Sequence, residues 1–309
     1  MPNILKNALA EIRETSKEIT AKSEITFNDS RLDALIEALQ INANPSDHPF
    51  VVDQRLSFSE KVALVLLYGV VNYCYTNPET RTEYQFEFDG RKYARSTGFN
   101  QALLHSGFNW LDFNALSELT FEQWREVLQL RPDNRLYDAK NRLVKLRTMA
   151  AYLKKVDVDN FFTTYNDTNK IFELLQDTGL YDDPFYKRAQ ITLSLLGRIS
   201  ALYGDEELAS SAPLTVMADY RLPQVLYNFD VLTLPQTLSD RLVQGTTFIK
   251  NEPYERDLRA WTIVLGEKMA HNLGVSEEII DARMWALSQD MIHDGRMKIP
   301  AMLVATDCY

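Results

Sequence analysis

The run FSEKVALVLLYGVVNYCY, residues 58–75, constrains the fold more than any other stretch of the chain. Its apolar residues are almost continuous and have helical spacing, so a helix formed here is apolar on every side. Such a helix needs other elements around its whole girth, and it is expected at the centre of a core. No stretch approaches the roughly 18 consecutive apolar residues of a membrane span. Further helices are expected from RLDALIEALQI, LTFEQWREVLQL with Thr120 as cap, NRLYDAKNRLVKLRTMAAYLKK and PFYKRAQITLSLLGRISALYG, which ends at Gly204. YRLPQVLYNF, ERDLRAWTIVLGEKMAHNLG ending at Gly274, and SEEIIDARMWALSQ with Ser276 as cap complete the set. EYQFEFDGRKYA is different: aromatic and polar residues alternate on both sides of Asp89-Gly90, which predicts a β-hairpin near 84–94. The expected fold class is mainly α with one small hairpin. No linker or repeat divides the chain, so one domain is expected over 1–309, with an amphipathic N-terminal helical extension over about 1–44.

Charge then limits the partners. Thirty-three basic and 43 acidic residues leave a formal charge of −10. Non-specific nucleic-acid binding needs a dense basic face, which this balance opposes. A pocket for one phosphate needs only one or two cations and stays open. Cys74 and Cys308 are the only cysteines, too few for a disulfide framework and without a CxxC pair for zinc. A reducing, cytosolic address is expected.

Three short stretches carry polar groups that helix building does not explain. In MADYRLPQVL, residues 217–226, Asp219 is placed to accept backbone N–H bonds at a helix entrance, and Pro223 suits a first turn. Tyr220, Arg221 and Gln224 have no such role, and a cation at a helix N-terminus is disfavoured unless paired. In DDPFYKRAQ, Lys187 and Arg188 begin a helix whose remainder is apolar. They oppose the dipole unless they and the helix N-terminus together hold an anion such as a phosphate. The alternative is a surface pair contacting Asp182 and Asp183. In VVNYCYT, Asn72 interrupts the apolar run ahead of Tyr73 and Tyr75. A buried Asn must have hydrogen-bond partners, and the rings either stack on a flat ligand or belong to the core. Other chemistries find no support. His48, His105, His271 and His293 lack metal-ligand spacing, and there is no P-loop, GxGxxG or GxSxG.

These three stretches resemble the queuosine salvage family, the queuosine 5′-phosphate N-glycosylases (hydrolases) that release the base queuine. The sharpest matches are PFYKRAQ at 184–190 and ADYRLPQVL at 218–226. VVNYCYT, FDGRKY at 88–93, ERDLRAWTI at 255–263, IIDARMW at 279–285 and the aromatic Tyr309 follow the family's order from about residue 45 onward. The resemblance implies a mainly α-helical fold similar to helix-hairpin-helix DNA glycosylases, without their basic DNA-binding face. It implies Asp219 as the catalytic carboxylate and Lys187 as an active-site cation. Asn72, Tyr73 and Tyr75 are implied to line the base pocket, with His48 near the place of a family histidine. Tyr220, Arg221, Gln224, Asp257, Arg259 and Asp281 are expected around the substrate, with Asp257 or Asp281 as the buried carboxylate that pairs with Arg221.

The chain also departs from the family pattern. Gly69 stands where an Asp is usual, Thr76 where a Trp is usual, and the tail IPAMLVATDCY lacks the usual His and Arg. Activity on an N-ribosyl bond follows more directly than queuine as the base. Glycosidic cleavage builds positive charge on the ribose ring, which a carboxylate beneath the anomeric carbon stabilises or attacks, or whose water it orients. Lys187 binds the 5′-phosphate or assists departure of the base; the sequence leaves both open. The expected partner is a small nucleotide, queuosine 5′-phosphate, with no metal, no organic cofactor, no nucleic acid and no membrane. Two alternatives stand beside this: an N-glycosidase for another modified deazapurine nucleotide, and a non-catalytic nucleotide- or base-binding protein.

Overall fold

In the computed structural model, which describes residues 3–41, 48–204, 208 and 214–309, the chain is mainly α-helical and its sheets have only two strands each. Two units divide it, one formed by Met1–Ser46 with Pro213–Thr306, the other by Asp47–Ala212 with Asp307–Tyr309. The end of the expected N-terminal extension, residues 42–44, lies outside the described residues.

In the first unit, helix α1 (Ile4–Thr20) buries Leu5, Leu9 and Ile12 and packs along the longest helix, α14 (Pro253–Leu273). Asn3 caps α1 by accepting from Lys6 N–H. Helix α2 (Asp29–Ile41) and helix α12 (Arg221–Asn228) lie against α15 (Glu277–His293), whose entrance is capped by Ser276 as the sequence predicts. Helix α13 (Gln236–Gln244) completes the helices of this unit. Short strands tie distant segments: β1 (Thr26–Phe27) pairs antiparallel with β4 (Leu232–Thr233), and β5 (Thr247–Ile249) pairs parallel with β6 (Leu303–Ala305).

The second unit is built around helix α4 (Phe58–Val71). Every residue from Lys61 to Val71 is buried, as an all-apolar helix requires, and Lys61 turns its ammonium onto the Val51 carbonyl at 2.7 Å. A capping box, Ser57 with Glu60, starts it. Helices α3 (Pro49–Val52), α8 (Ala139–Leu153) and α11 (Lys187–Leu202) pack on α4. The hairpin forms where expected, β2 (Gln85–Phe88) with β3 (Arg91–Ala94), and Asp89 and Gly90 both take positive φ as its two-residue turn demands. Helices α5 (Arg95–Leu104), α6 (Phe113–Ser117), α7 (Phe121–Val127), α9 (Phe161–Thr164) and α10 (Thr168–Asp177) fill the periphery. Thr120 caps α7 in a box with Gln123.

Two expected helices are shorter than their apolar patterns. The run to Tyr75 stops being helical at Val71, because Asn72 leaves helical backbone and Cys74 takes φ 36°. The helix expected from Asn134 begins at Ala139 instead. Asn134 extends the hairpin edge, its amide oxygen accepting from Gln85 N–H and its amide nitrogen donating to Gln85 C=O.

Candidate active site

Residues 214–219 form no regular secondary structure, so their backbone groups need partners from elsewhere. Val216 N–H donates to Glu277 Oε2 at 3.3 Å and Met217 N–H to Asp281 Oδ1 at 2.8 Å. Glu277 and Asp281 are four residues apart on α15, hence on one helix face, and they hold successive amides of the segment. Ala218 N–H closes a tight turn onto Val216 C=O at 3.0 Å, and Arg259 Nε of α14 donates to Ala218 C=O at 3.0 Å. Arg259 is fully buried with Glu255, one helical turn before it, as its ion-pair partner. Gly266 lets α14 approach this closely, since a Cβ there would lie 2.1 Å from Val216 Cγ2.

That scaffold delivers Asp219 to the entrance of α12. Its Oδ1 accepts from Arg221 N–H at 2.6 Å and Leu222 N–H at 3.2 Å, the capping role read from the sequence. Among the described residues Oδ2 has no hydrogen-bond partner, and the side chain is half-buried. One oxygen is therefore anchored and the other is available. Arg221 does not pair with Asp257 or Asp281; it donates to Gln224 Oε1 at 2.7 Å and lies 5.2 Å from the ring of Tyr220. Gln224 in turn donates to Ile299 C=O. Asp219, Tyr220, Arg221, Gln224, Arg259 and Asp281 are thus brought together. Asp257 is not with them. Two residues from Arg259 on α14, it points away, accepts from Ser23 Oγ at 2.7 Å, and has its carboxyl pushed up by burial against the opposing hydrogen bond from Ser23.

The other candidates belong to the second unit. Lys187 is the first residue of α11 and is buried; its backbone N–H donates to Asp183 Oδ2 at 2.8 Å. Arg188, 1% exposed, is likewise not a surface residue. Its guanidinium donates to the carbonyls of Val70, Leu180 and Cys308. Arg142 does the same one turn on, donating to Val71, Tyr73 and Cys74 carbonyls and stacking 3.9 Å from the Tyr73 ring. Two cations therefore hold the C-terminal carbonyls of α4, where the helix dipole favours positive charge. The tail is tied to the same region, since Arg188 donates to Cys308 C=O, Lys145 pairs with Asp307 at 2.7 Å and Cys74 N–H donates to Tyr309 C=O.

Asn72, Tyr75 and His48 join one buried polar network. Tyr75 OH donates to Asn72 Oδ1 at 2.9 Å, and the Tyr68 hydroxyl hydrogen-bonds with Tyr75, Asn100 and Asn72. His48 caps α3 with its Nδ1 3.4 Å from Phe50 N, and its Nε2 lies 3.2 Å from the Asn100 amide nitrogen. Enclosure between Phe50 and Tyr68, with the charge of Arg198 adding to it, pushes this imidazole down to about 3. Tyr73 is fully buried with its hydroxyl 3.3 Å from Asp138. Sequence reasoning missed Glu255, Glu277, Arg142 and Asn100. Only Glu255 left a local signal, its spacing of four from Arg259.

Fold and site together define a mainly helical protein with a carboxylate fixed through one oxygen at a helix entrance. Residues 52–305 match the queuosine salvage protein family, and the chain belongs to that family. It is 27% identical over 240 residues, 71% of each chain, to a queuosine 5′-phosphate N-glycosylase/hydrolase of Sphaerobacter thermophilus. Proteins of the same name from Nematostella vectensis and Schizosaccharomyces pombe match at 32% and 30% identity over 101 and 80 residues, 32% and 25% of this chain and 29% and 23% of theirs. No helix among the described residues is long and apolar enough to cross a membrane.

Proposed function

We propose that this protein hydrolyses the N-glycosidic bond of queuosine 5′-phosphate, releasing queuine for salvage into tRNA modification. The observation that carries the reading is the anchoring of Asp219, Oδ1 held by two backbone amides and Oδ2 without a partner among the described residues. A carboxylate fixed in this way stabilises the oxocarbenium-like ribose as the C1′–N bond breaks, while the base takes the bonding pair and a proton, and water adds at C1′. Lys187, at the first position of a helix, supplies positive charge for the 5′-phosphate. Tyr220, Arg221, Gln224, Arg259 and Asp281 hold and shape the surroundings of Asp219. Asn72, Tyr73, Tyr75 and His48 form the base side. One domain over 1–309 remains our reading of the chain, and two free buried cysteines suit a reducing cytosol. No metal or organic cofactor enters this scheme.

A second reading keeps the chemistry and changes the base. A Cβ at Gly69 would lie 2.1 Å from Thr192 Oγ1 and 2.5 Å from Tyr181 OH, so position 69 has no room for the acidic side chain of the family pattern. The test is incubation of the protein with queuosine 5′-phosphate, queuosine and common purine nucleotides, following base release by chromatography with mass detection. Queuine release from the phosphate supports the first reading and turnover confined to another nucleotide the second. Binding of queuosine 5′-phosphate without turnover identifies a binding protein.

A further inference from the structure

Helix α1 lies outside the region matched by the family, yet it is tied to the segment that carries Asp219. Arg13 of α1 donates to Glu277 Oε1 through Nη2 at 2.6 Å and Nε at 3.2 Å. The other oxygen of that carboxylate accepts from Val216 N–H, three residues before Asp219. Glu277 is only 10% exposed in its side chain and Arg13 20%, so solvent competes little for the bridge. We propose that Glu277, braced by Arg13, is a positioning residue for the Asp219 carboxylate, which makes α1 a working part of the site.

The geometry gives the reason. Segment 216–218 has no strand partner, and three side chains, Glu277, Asp281 and Arg259, fix its backbone. The carboxylate of Glu277 is itself oriented by a third helix, through Arg13 of α1. Burial pushes the Glu277 carboxyl upward, and the hydrogen bond and charge of Arg13 oppose this. Glu267 of α14 also lies near Arg13, at 3.9 Å, and Lys17 of α1 shares that Glu267. Without Arg13, Glu277 is left beside Glu267 with its main counter-charge gone, and the Val216 amide loses an oriented acceptor.

The inference rests on the function proposed above, and the experiment separates the two. Arg13→Ala, Arg13→Lys, Glu277→Gln and the double variant Arg13→Ala/Glu277→Gln are compared with Leu9→Ala, which weakens the packing of α1 without touching the bridge. Expected for Arg13→Ala is a fall in kcat for base release of about ten-fold or more, with KM nearly unchanged, because a displaced carboxylate is felt in the transition state. Arg13→Lys recovers part of it, and the double variant loses no more than the worse single one, as residues acting through one bridge do. Leu9→Ala, assayed well below its own Tm, keeps the wild-type kcat. Amide exchange at Val216 and Met217 quickens in Arg13→Ala. Unchanged exchange, an unchanged kcat in Arg13→Ala, or an equal loss in Leu9→Ala overturns the positioning role while wild-type turnover leaves the proposed function standing. A wild type that releases no base overturns both.

Discussion

Two irregular segments, 214–219 in the first unit and 72–75 in the second, follow the same rule and end differently. Each lacks a secondary-structure ladder, and each has its backbone held by side chains from neighbouring helices. Around Asn72 to Cys74 the holders are guanidinium groups donating to carbonyls at a helix C-terminus. Around Val216 to Ala218 they are mainly carboxylates accepting from amides, with Arg259 on the one carbonyl. The polar side chains of the first set largely close on one another, Asn72 with Tyr75 and Tyr68 with both. Asp219 closes only halfway. An anchored oxygen beside an available one distinguishes a group placed to act from a group placed to support.

Asp219→Asn tests that distinction most severely. The amide oxygen of Asn still accepts from Arg221 and Leu222 N–H, so Tm should stay within a few degrees of the wild type. Base release should fall by about 100- to 1,000-fold or more, since the missing charge serves the transition state. A large drop in Tm with little loss of rate would reduce Asp219 to a cap. On the other side of the comparison, Arg142→Met should cost about 3 kcal/mol or more in urea-unfolding experiments, because several buried carbonyls lose their donor together. Stability near wild type would mean that the end of α4 does not depend on it.

Smaller effects refine the contrast. Asn72→Ala removes the acceptor of Tyr75 OH and should destabilise the protein by about 1–2 kcal/mol by the same assay. A neutral result would show that the network re-pairs without it. The His48 imidazole is depressed to about 3, so the folded form stays neutral while the unfolded chain takes up a proton below about pH 6.5. Stability is therefore complete above pH 6.5 and falls as pH drops toward 3, by up to about 1.4 kcal/mol per pH unit from this group. His48→Gln should flatten that part of the stability–pH curve, and an unaltered slope would show that the ring is hydrated.

What the sequence disclosed depended on whether an interaction has a local signature. The all-apolar α4, the Asp89-Gly90 turn, the Thr120 and Ser276 caps and the Asp219 cap are written within a few residues and form as read. Arg188 is open to two readings in the sequence, anion ligand or surface partner of Asp182; it does lie 3.8 Å from Asp182, but it is buried and its hydrogen bonds go to backbone carbonyls. Backbone carbonyls are supplied by every residue type, so a cation directed at them leaves no pattern to find. The end of α4 at Val71 was hidden for a related reason, since Asn72 breaks the apolar run for a single residue only and the positive φ of Cys74 has no sign in the sequence. Arg13 and Glu277, 264 positions apart, meet only through the fold.

The way the chain is divided bears on its synthesis. Helices α1 and α2 are synthesised before the second unit, but the partners that cover their apolar faces, α14 and α15, come after its main segment, Asp47–Ala212. At ordinary translation rates the roughly 210 residues between α2 and α14 take on the order of ten to forty seconds. During that interval Leu5, Leu9 and Ile12 have nowhere native to go, while residues 48–204 can already collapse around α4. Nascent chains stalled between residues 60 and 210 should therefore be the ones that chaperones hold at the N-terminus.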